Sequence, residues 1–237
     1  MKTSIEGRRA LITGAGSGIG KAVAQRLSEL GCDVVLVGRT GATLSETAAL
    51  CSGSTKTVTC DLTDENSILA LVGYIRATGG LDILVNNAGV VQAGPLEGIS
   101  TEEFDAVMAT NVRAPFILMR EALPLLKASP APEIINVCSV VAHEGYPNQS
   151  AYVASKHALC GLSKSFAKEV FEDGIRVHLI SPGGVLTDMV AKVRPEIVGV
   201  PMIAPEDVAD AAEYLLTHRS DAVCDEIRLH RVTKAPF

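Results

Sequence analysis

The feature that most limits the fold of this chain is a repeat of short, almost wholly apolar runs separated by longer amphipathic stretches. Asp33–Gly38 contains Val-Val-Leu-Val, and Asp82–Asn86 contains Ile-Leu-Val. Runs this continuous suit strands covered on both faces, as in a parallel sheet. Seven candidate strands follow: Arg9–Thr13, Asp33–Gly38, Thr55–Cys60, Asp82–Asn86, Glu133–Ser139, Arg176–Ser181 and Glu226–Arg231. Between the first two, Ile19, Ala22, Val23, Leu27 and Leu30 recur at helical spacing within Gly18–Leu30, with Gly31 as a stop. Ser150–Phe171 reads as another long helix, ended by Asp173-Gly174, and Thr101–Lys127 as a third. Strand, helix, strand in series requires right-handed crossovers between parallel strands. The expected architecture is therefore a doubly wound α/β fold with helices on both faces of the sheet. No low-complexity linker or charge block divides the 237 residues, so one domain over 1–237 is expected. Ligand sites in such sheets lie beyond the carboxyl ends of the strands.

Composition removes several function classes. The formal net charge is −6, which gives no bulk attraction to nucleic acid or anionic lipid. Trp is absent and aromatics make up only 4%, against a base-stacking platform. The six cysteines lack any C-x-x-C pair, and most sit in apolar runs. They read as free, reduced thiols, and no metal site is expected. The first residues lack a signal-peptide core, and no run of ~18 apolar residues occurs. A cytoplasmic protein without nucleic-acid or membrane partners is expected.

The first strand runs straight into Thr13-Gly14-Ala15-Gly16-Ser17-Gly18-Ile19-Gly20-Lys21. Glycines here permit a tight turn and a close backbone approach to a diphosphate, whose charge meets a helix N-terminus. A P-loop fails twice, because Ala15 stands where Gly is needed and Ala22 where Ser or Thr is needed. G-x-G-x-x-G from Gly14 fails at Ile19. T-G-x-x-x-G-x-G fits, through Thr13, Gly14, Gly18 and Gly20. An NAD site carries an acid at the end of the second strand. That position here reads Val37-Gly38-Arg39-Thr40, and Asp33 stands at the wrong end. Arg39 suits a 2′-phosphate through a charge-assisted fork, with Thr40 and Ser17 as hydroxyl partners. NADP(H) is expected over the alternative, NAD(H).

Tyr152 and Lys156 are spaced i, i+4 and share one helix face. A free tyrosine is only ~0.1% ionised at pH 7. A neighbouring ammonium stabilises the tyrosinate and so favours acid/base use. Ser139 lies thirteen positions earlier at a strand end, and its hydroxyl can donate to a carbonyl oxygen. Asn86-Asn87-Ala88-Gly89 follows another strand end, and Asn111 sits in Thr110-Asn111-Val112.

With these motifs in order, the chain resembles the short-chain dehydrogenase/reductase family from about residue 5 to about residue 215. The matching elements are T-G-x-x-x-G-x-G at Thr13–Gly20, N-N-A-G at Asn86–Gly89, Ser139, Y-x-x-x-K at Tyr152–Lys156, and Pro182-Gly183 followed by Thr187. The resemblance implies a Rossmann-like, seven-stranded, mainly parallel sheet in the order 3-2-1-4-5-6-7. It implies a catalytic tetrad of Asn111, Ser139, Tyr152 and Lys156. Tyr exchanges a proton with the substrate oxygen, Ser orients that oxygen, Lys holds the nicotinamide ribose, and Asn supports a water-linked relay to Lys. Cofactor contacts are implied at Gly14, Ser17, Gly18, Ile19 and Gly20, and at Arg39 and Thr40. Asp61 and Leu62 would meet adenine, although Asp61 also reads as a loop-capping aspartate. Asn87, Ala88 and Gly89 would line the cleft. Ile180, Pro182, Gly183, Val185 and Thr187 match the stretch at the nicotinamide end.

The expected activity is interconversion of a ketone and a secondary alcohol, with a 3-oxoacyl thioester as one substrate class. A dinucleotide-binding sensor without turnover is the rival, disfavoured by the intact Ser–Tyr–Lys set. A homodimer or homotetramer is implied, paired through Thr101–Lys127 and Ser150–Phe171. The chain departs from the family near Ile227–Phe237, where a basic stretch replaces the usual Asp-Gly-Gly. The substrate loop, about 187–205, is short. Its Met189, Val190, Val193, Ile197, Val198, Val200, Met202 and Ile203 line a pocket or form a packed lid. His143, Glu144 and Tyr146 border the substrate or face water. His178 and His218 read as structural.

Overall fold

The computed structural model describes residues 2–193 and 199–234. Strands and helices alternate from the start: β1 (Arg9–Thr13), α1 (Gly18–Glu29), β2 (Asp33–Gly38), α2 (Gly41–Leu50), β3 (Thr55–Thr59), α3 (Glu65–Ala77) and β4 (Ile83–Asn86). Then come α4 (Thr101–Met108), α5 (Ala114–Lys127), β5 (Glu133–Val137), α6 (Ser150–Glu169) and β6 (Arg176–Pro182). The series closes with α7 (Asp188–Val193), α8 (Pro205–Thr217) and β7 (Glu226–Leu229). All seven expected strands form, shortened by a residue or two at some ends. They build one sheet in the order β3-β2-β1-β4-β5-β6-β7, with every neighbouring pair parallel.

Alternation along the strands makes two cores. Ala10 and Ile12 of β1 join Val34 and Leu36 of β2 on one face, under α1 and α8. Leu11, Val35 and Val37 turn to the other face, under α3 and α5. Leu27 of α1 and Leu118 of α5 are no more than 1% exposed. Each such residue contributes about 1.5–3 kcal/mol by burial. That exceeds the typical ~1 kcal/mol of a helix cap, so packing rather than capping holds α1, whose Ser17 makes no side-chain cap bond.

One expected element differs. Thr101–Lys127 is not a continuous α-helix: a π-helical turn, Ala109–Arg113, separates α4 from α5. Pro115 supplies the reason. It has no N–H to give to the carbonyl of Asn111 four residues back, and its ring crowds that carbonyl. Asn111 therefore sits in the irregular turn, beside the ends of β4 and β5.

The order in which strands are added to the sheet reverses between β1 and β4, which run parallel and pair Ile12 with Val85. The cleft above that junction is where both groups of sequence motifs converge.

Candidate active site

The glycine-rich turn is latched to the end of β4. Thr13 Oγ1 accepts from the backbone N–H groups of Asn87 and Ala88, both at 3.0 Å. Asn87 Nδ2 donates to the Thr13 carbonyl at 2.9 Å. Two glycines are required by space, and Gly14 by conformation as well. Gly14 has φ +66°, and a Cβ there would stand 2.9 Å from Ala88 Cα. A Cβ on Gly20 would stand 2.3 Å from the Gly14 carbonyl oxygen. The turn is thus pressed flat against β4 and leads into α1, whose first N–H groups have no side-chain cap. Uncapped N–H groups at a helix N-terminus are donors for an anion.

A cleft of about 550 Å³ runs from this turn across the strand ends. Gly14, Ser17, Gly18 and Ile19 line it at the turn, with Arg39, Thr40, Asp61 and Leu62 at one end. Asn87, Ala88 and Gly89 line its middle, and Pro182, Gly183, Val185 and Thr187 its other end. Gly20 does not line it. It is buried beneath the turn, where its missing side chain lets Gly14 and Asn87 approach. Ile180 is likewise buried in the core rather than in the cleft wall. Asp61 Oδ1 accepts from Thr63 N at 2.9 Å and Thr63 Oγ1 at 2.8 Å. These two bonds, with a smaller pull from Arg39, hold its carboxyl below the usual range. The loop-capping reading of Asp61 is therefore realised, and the residue still faces the cleft.

The four residues implied as a tetrad are brought together, but at different depths. Asn111 is 1% exposed and does not line the cleft. Its Oδ1 accepts from Val90 N at 2.8 Å, and its Nδ2 donates to Val90 O at 2.9 Å and Ser155 Oγ at 3.0 Å. Ser155 Oγ donates in turn to the Tyr152 carbonyl at 2.7 Å. The Lys156 ammonium is buried, donates to the Val137 carbonyl at 2.9 Å, and stands 5.8 Å from the centre of the Tyr152 ring. Ser139 Oγ donates to the Pro182 carbonyl at 3.3 Å.

A second cavity of about 410 Å³ adjoins the first. Ser139, Tyr152, Gly183, Met189 and Val190 line both. His143, Glu144 and Tyr146 line the second cavity, as one of the two sequence readings has it. His143 Nε2 meets Glu226 Oε1 at 2.6 Å, and Glu144 takes an ion pair from Lys234 at 3.0 Å. Burial pushes the Glu226 carboxyl up, but hydrogen bonds from Ser181, Arg228 and His143 outweigh it and hold it below the usual range.

The loop at about 187–205 divides between the two expectations. Met189 and Val190 line the cavities, Ile203 is buried in the first core, and Val200 faces outward. Met202 lies against the basic segment after β7. Ile197, Val198 and the side chain of Val193 lie outside the described residues. His178 is buried, with Nδ1 donating to the Cys224 carbonyl at 2.8 Å, and His218 stacks on Tyr214. No group of three or more His, Cys, Asp or Glu among the described residues is arranged to hold a metal ion, and none of the described helices is long and apolar enough to cross a membrane.

Sequence reasoning missed three contributors. The Thr13 latch and the Ser155 tie depend on pairings between distant segments. Arg228, His230, Arg231 and Lys234 in the second cavity wall stood out only as a basic stretch.

Comparison with known proteins gives a consistent result. Residues 8–197 match the model of the short chain dehydrogenase family. The chain is 35% identical over 227 residues to a 3-oxoacyl-(acyl-carrier-protein) reductase of Rickettsia bellii, covering 92% of this chain and 93% of the relative. It is 37% identical over 207 residues to a D-beta-hydroxybutyrate dehydrogenase of Rhizobium meliloti, covering 85% and 80%. Among solved structures, a metagenomic short-chain oxidoreductase in complex with NADP superposes with a TM-score of 0.83 at 34% identity, over 97% of this chain and 100% of that one. A family match across most of the chain, together with relatives more than 30% identical over most of both chains, shows that this protein belongs to the short-chain dehydrogenase/reductase family of oxidoreductases.

Proposed function

We propose that the chain is an NADP(H)-dependent oxidoreductase that interconverts a ketone and a secondary alcohol, with 3-oxoacyl thioesters as one candidate class. The observation that carries this reading is the shared wall of the two cavities. Ser139 and Tyr152 line both, so their hydroxyls lie where a dinucleotide in one cavity would meet a substrate in the other.

The residues present fit a dinucleotide. Side chains at Gly14 or Gly20 would push the turn off β4 into the cleft, and α1 offers uncapped N–H groups beside it. Among the described residues the buried Lys156 ammonium has a single acceptor, the Val137 carbonyl, although it carries three donors. Ribose hydroxyls would supply the remaining acceptors. Arg39, with Thr40 and Ser17, would hold a 2′-phosphate, and Asp61 and Leu62 would border adenine. Pro182, Gly183, Val185 and Thr187 would border the nicotinamide end. When bound, the nicotinamide supplies or accepts the hydride.

The remaining work falls to the chain. Tyr152 gives a proton to the substrate oxygen during reduction and takes it back during oxidation. Ser139 donates to the same oxygen and orients it. Lys156 places its ammonium beside Tyr152 and anchors the ribose. Asn111, fixed by the Val90 backbone and Ser155, keeps the π turn in place behind Lys156.

The proposal extends to one domain over 1–237 and to a homodimer or homotetramer. Phe104 of α4 and Phe116 of α5 are 40% and 43% exposed, which supports pairing on that face. The six free cysteines support a cytoplasmic setting.

The test is NADPH consumption against an acyl thioester, a steroid ketone, a ketose and a small diketone, and NADP+ reduction with the matching alcohols. Turnover of one class that disappears in Tyr152→Phe supports the proposal. NADPH binding without turnover in either direction favours a sensor.

A further inference from the structure

We infer that Arg231 is an anion anchor in the second cavity, and that the substrate carries a carboxylate or phosphate besides the oxygen that reacts. This rests on the reading above that the second cavity holds the substrate.

The cavity wall contains three permanently or normally cationic side chains, Arg228, Arg231 and Lys234, contributed by β7 and the segment after it. Two are neutralised within the chain. Arg228 Nη2 pairs with Glu226 Oε2 at 3.1 Å, and Lys234 Nζ pairs with Glu144 Oε1 at 3.0 Å. The nearby His143 is also committed, to the other oxygen of Glu226. Arg231 differs. Among the described residues no carboxylate lies within ion-pair distance of it, and its Nη1 meets only the Met202 sulfur, at 3.9 Å. A thioether is a weak acceptor and no counter-ion.

The guanidinium is also held in place. Arg231 is half-buried, and its stem runs along Gly184: a Cβ added there would stand 3.6 Å from Arg231 Cδ and 3.7 Å from Nε. Gly184 follows Gly183, which lines both cavities with Ser139 and Tyr152. The cation is thus positioned on the substrate side of the seam. An arginine cannot shed its charge to relieve poor pairing. Its planar fork matches carboxylate and phosphate oxygens. A cavity of about 410 Å³ suits a small molecule rather than a polymer. The ligand class that completes this site is a small oxo or hydroxy compound with one anionic end.

The test compares charged and neutral partners. The carboxylate pairs are 3-oxobutanoate, 4-oxopentanoate and 5-oxohexanoate, each against its methyl ester. The phosphate pair is dihydroxyacetone phosphate against dihydroxyacetone. The readout is the ratio of kcat/KM, anion over neutral, in wild type, Arg231→Gln, Arg231→Lys and the distant surface control Lys56→Gln. At least one pair should favour the anion by about tenfold or more in wild type, as expected for a charge-assisted contact. Arg231→Gln should bring that ratio close to one, chiefly through KM. Arg231→Lys should retain part of it, and Lys56→Gln all of it. The pair that responds identifies carboxylate or phosphate. A wild type without anion preference, or a preference that survives in Arg231→Gln, overturns the inference. If no compound in any pair turns over, the ketone-reductase reading is what has failed. The anchor is then judged by melting temperature with 4-oxopentanoate or dihydroxyacetone phosphate. A rise in wild type that is absent in Arg231→Gln supports it, and equal or absent shifts overturn it.

Discussion

The Lys156 ammonium stands 5.8 Å from the centre of the Tyr152 ring while donating to the Val137 carbonyl at the end of β5. One helical turn of α6 thus carries both groups, and the strand end fixes the cation. Replacing Tyr152 by Phe removes the hydroxyl proposed as proton donor and leaves the ring. The rate should fall by about 10²–10⁴-fold, the usual range for general acid–base groups, while NADPH affinity changes little. Lys156→Met should lower the rate and weaken NADPH together. Steady-state kinetics with fluorescence titration of NADPH separates the two patterns. Near-wild-type turnover in Tyr152→Phe would remove Tyr152 from the chemistry.

Gly20 lies beneath the glycine-rich turn and not in the cleft. In Gly20→Ala the new Cβ meets the Gly14 carbonyl and Asn87 Nδ2, at 2.3 and 2.4 Å before adjustment. The turn must lift from β4. The expected loss is roughly 1–3 kcal/mol of stability, typical of overpacking, with a drop in NADPH affinity of about tenfold or more. Urea unfolding and titration measure the two. Unchanged affinity would mean that the flat turn is not needed for binding.

Arg39 is exposed at the cleft end opposite Tyr152, with Thr40 beside it and an ion-pairing acid absent from the second strand's end. Arg39→Ala should weaken NADPH by about tenfold, the lower end for a hydrogen bond to a charged group at an exposed position. NADH should be unaffected. The NADPH/NADH ratio of kcat/KM is the quantity to compare, and an unaltered ratio would reassign the 2′-phosphate contact.

His178 in β6 is buried, and burial holds its pKa below the ordinary 6.5, partly opposed by the Cys224 carbonyl and Glu133. The neutral form is therefore favoured in the folded state. Above pH 6.5 both states are neutral there and nothing is lost. As pH falls below about 6.5 the unfolded chain takes up a proton that the native chain resists, and stability declines until the lower native value is reached. The slope for one proton is about 1.4 kcal/mol per pH unit at most. Urea midpoints from pH 7.5 to 5.5 should show this fall, and His178→Gln should flatten it. Parallel curves for the two proteins would assign the pH dependence to other groups.

The separation between local and long-range information is visible at particular residues. Val34–Val37 and Ile83–Val85 announced central strands because both their faces are covered, and the sequence records that as uninterrupted apolar character. The turn at Gly14–Gly20 was legible because steric demands of a tight approach leave few residue types. Thr101–Lys127 reads as one helix in the sequence because amphipathic spacing continues on both sides of Asn111. Only the missing N–H of Pro115 marks the π turn.

By itself the sequence determined the number of strands and their succession along the chain, the motifs at their carboxyl ends and the charge at Arg39. These depend on neighbours within a few residues. The tertiary structure alone decided which surfaces meet. It put Thr13 on Asn87, Asn111 on Ser155, and Ser139 with Tyr152 at a wall common to two cavities. It also paired Arg228 and Lys234 with carboxylates, while Arg231, against Gly184, has none among the described residues. The physical reason is range. Periodicity encodes how each segment is buried, whereas ion pairing and cavity walls arise between segments tens of residues apart, once the sheet has fixed their separation.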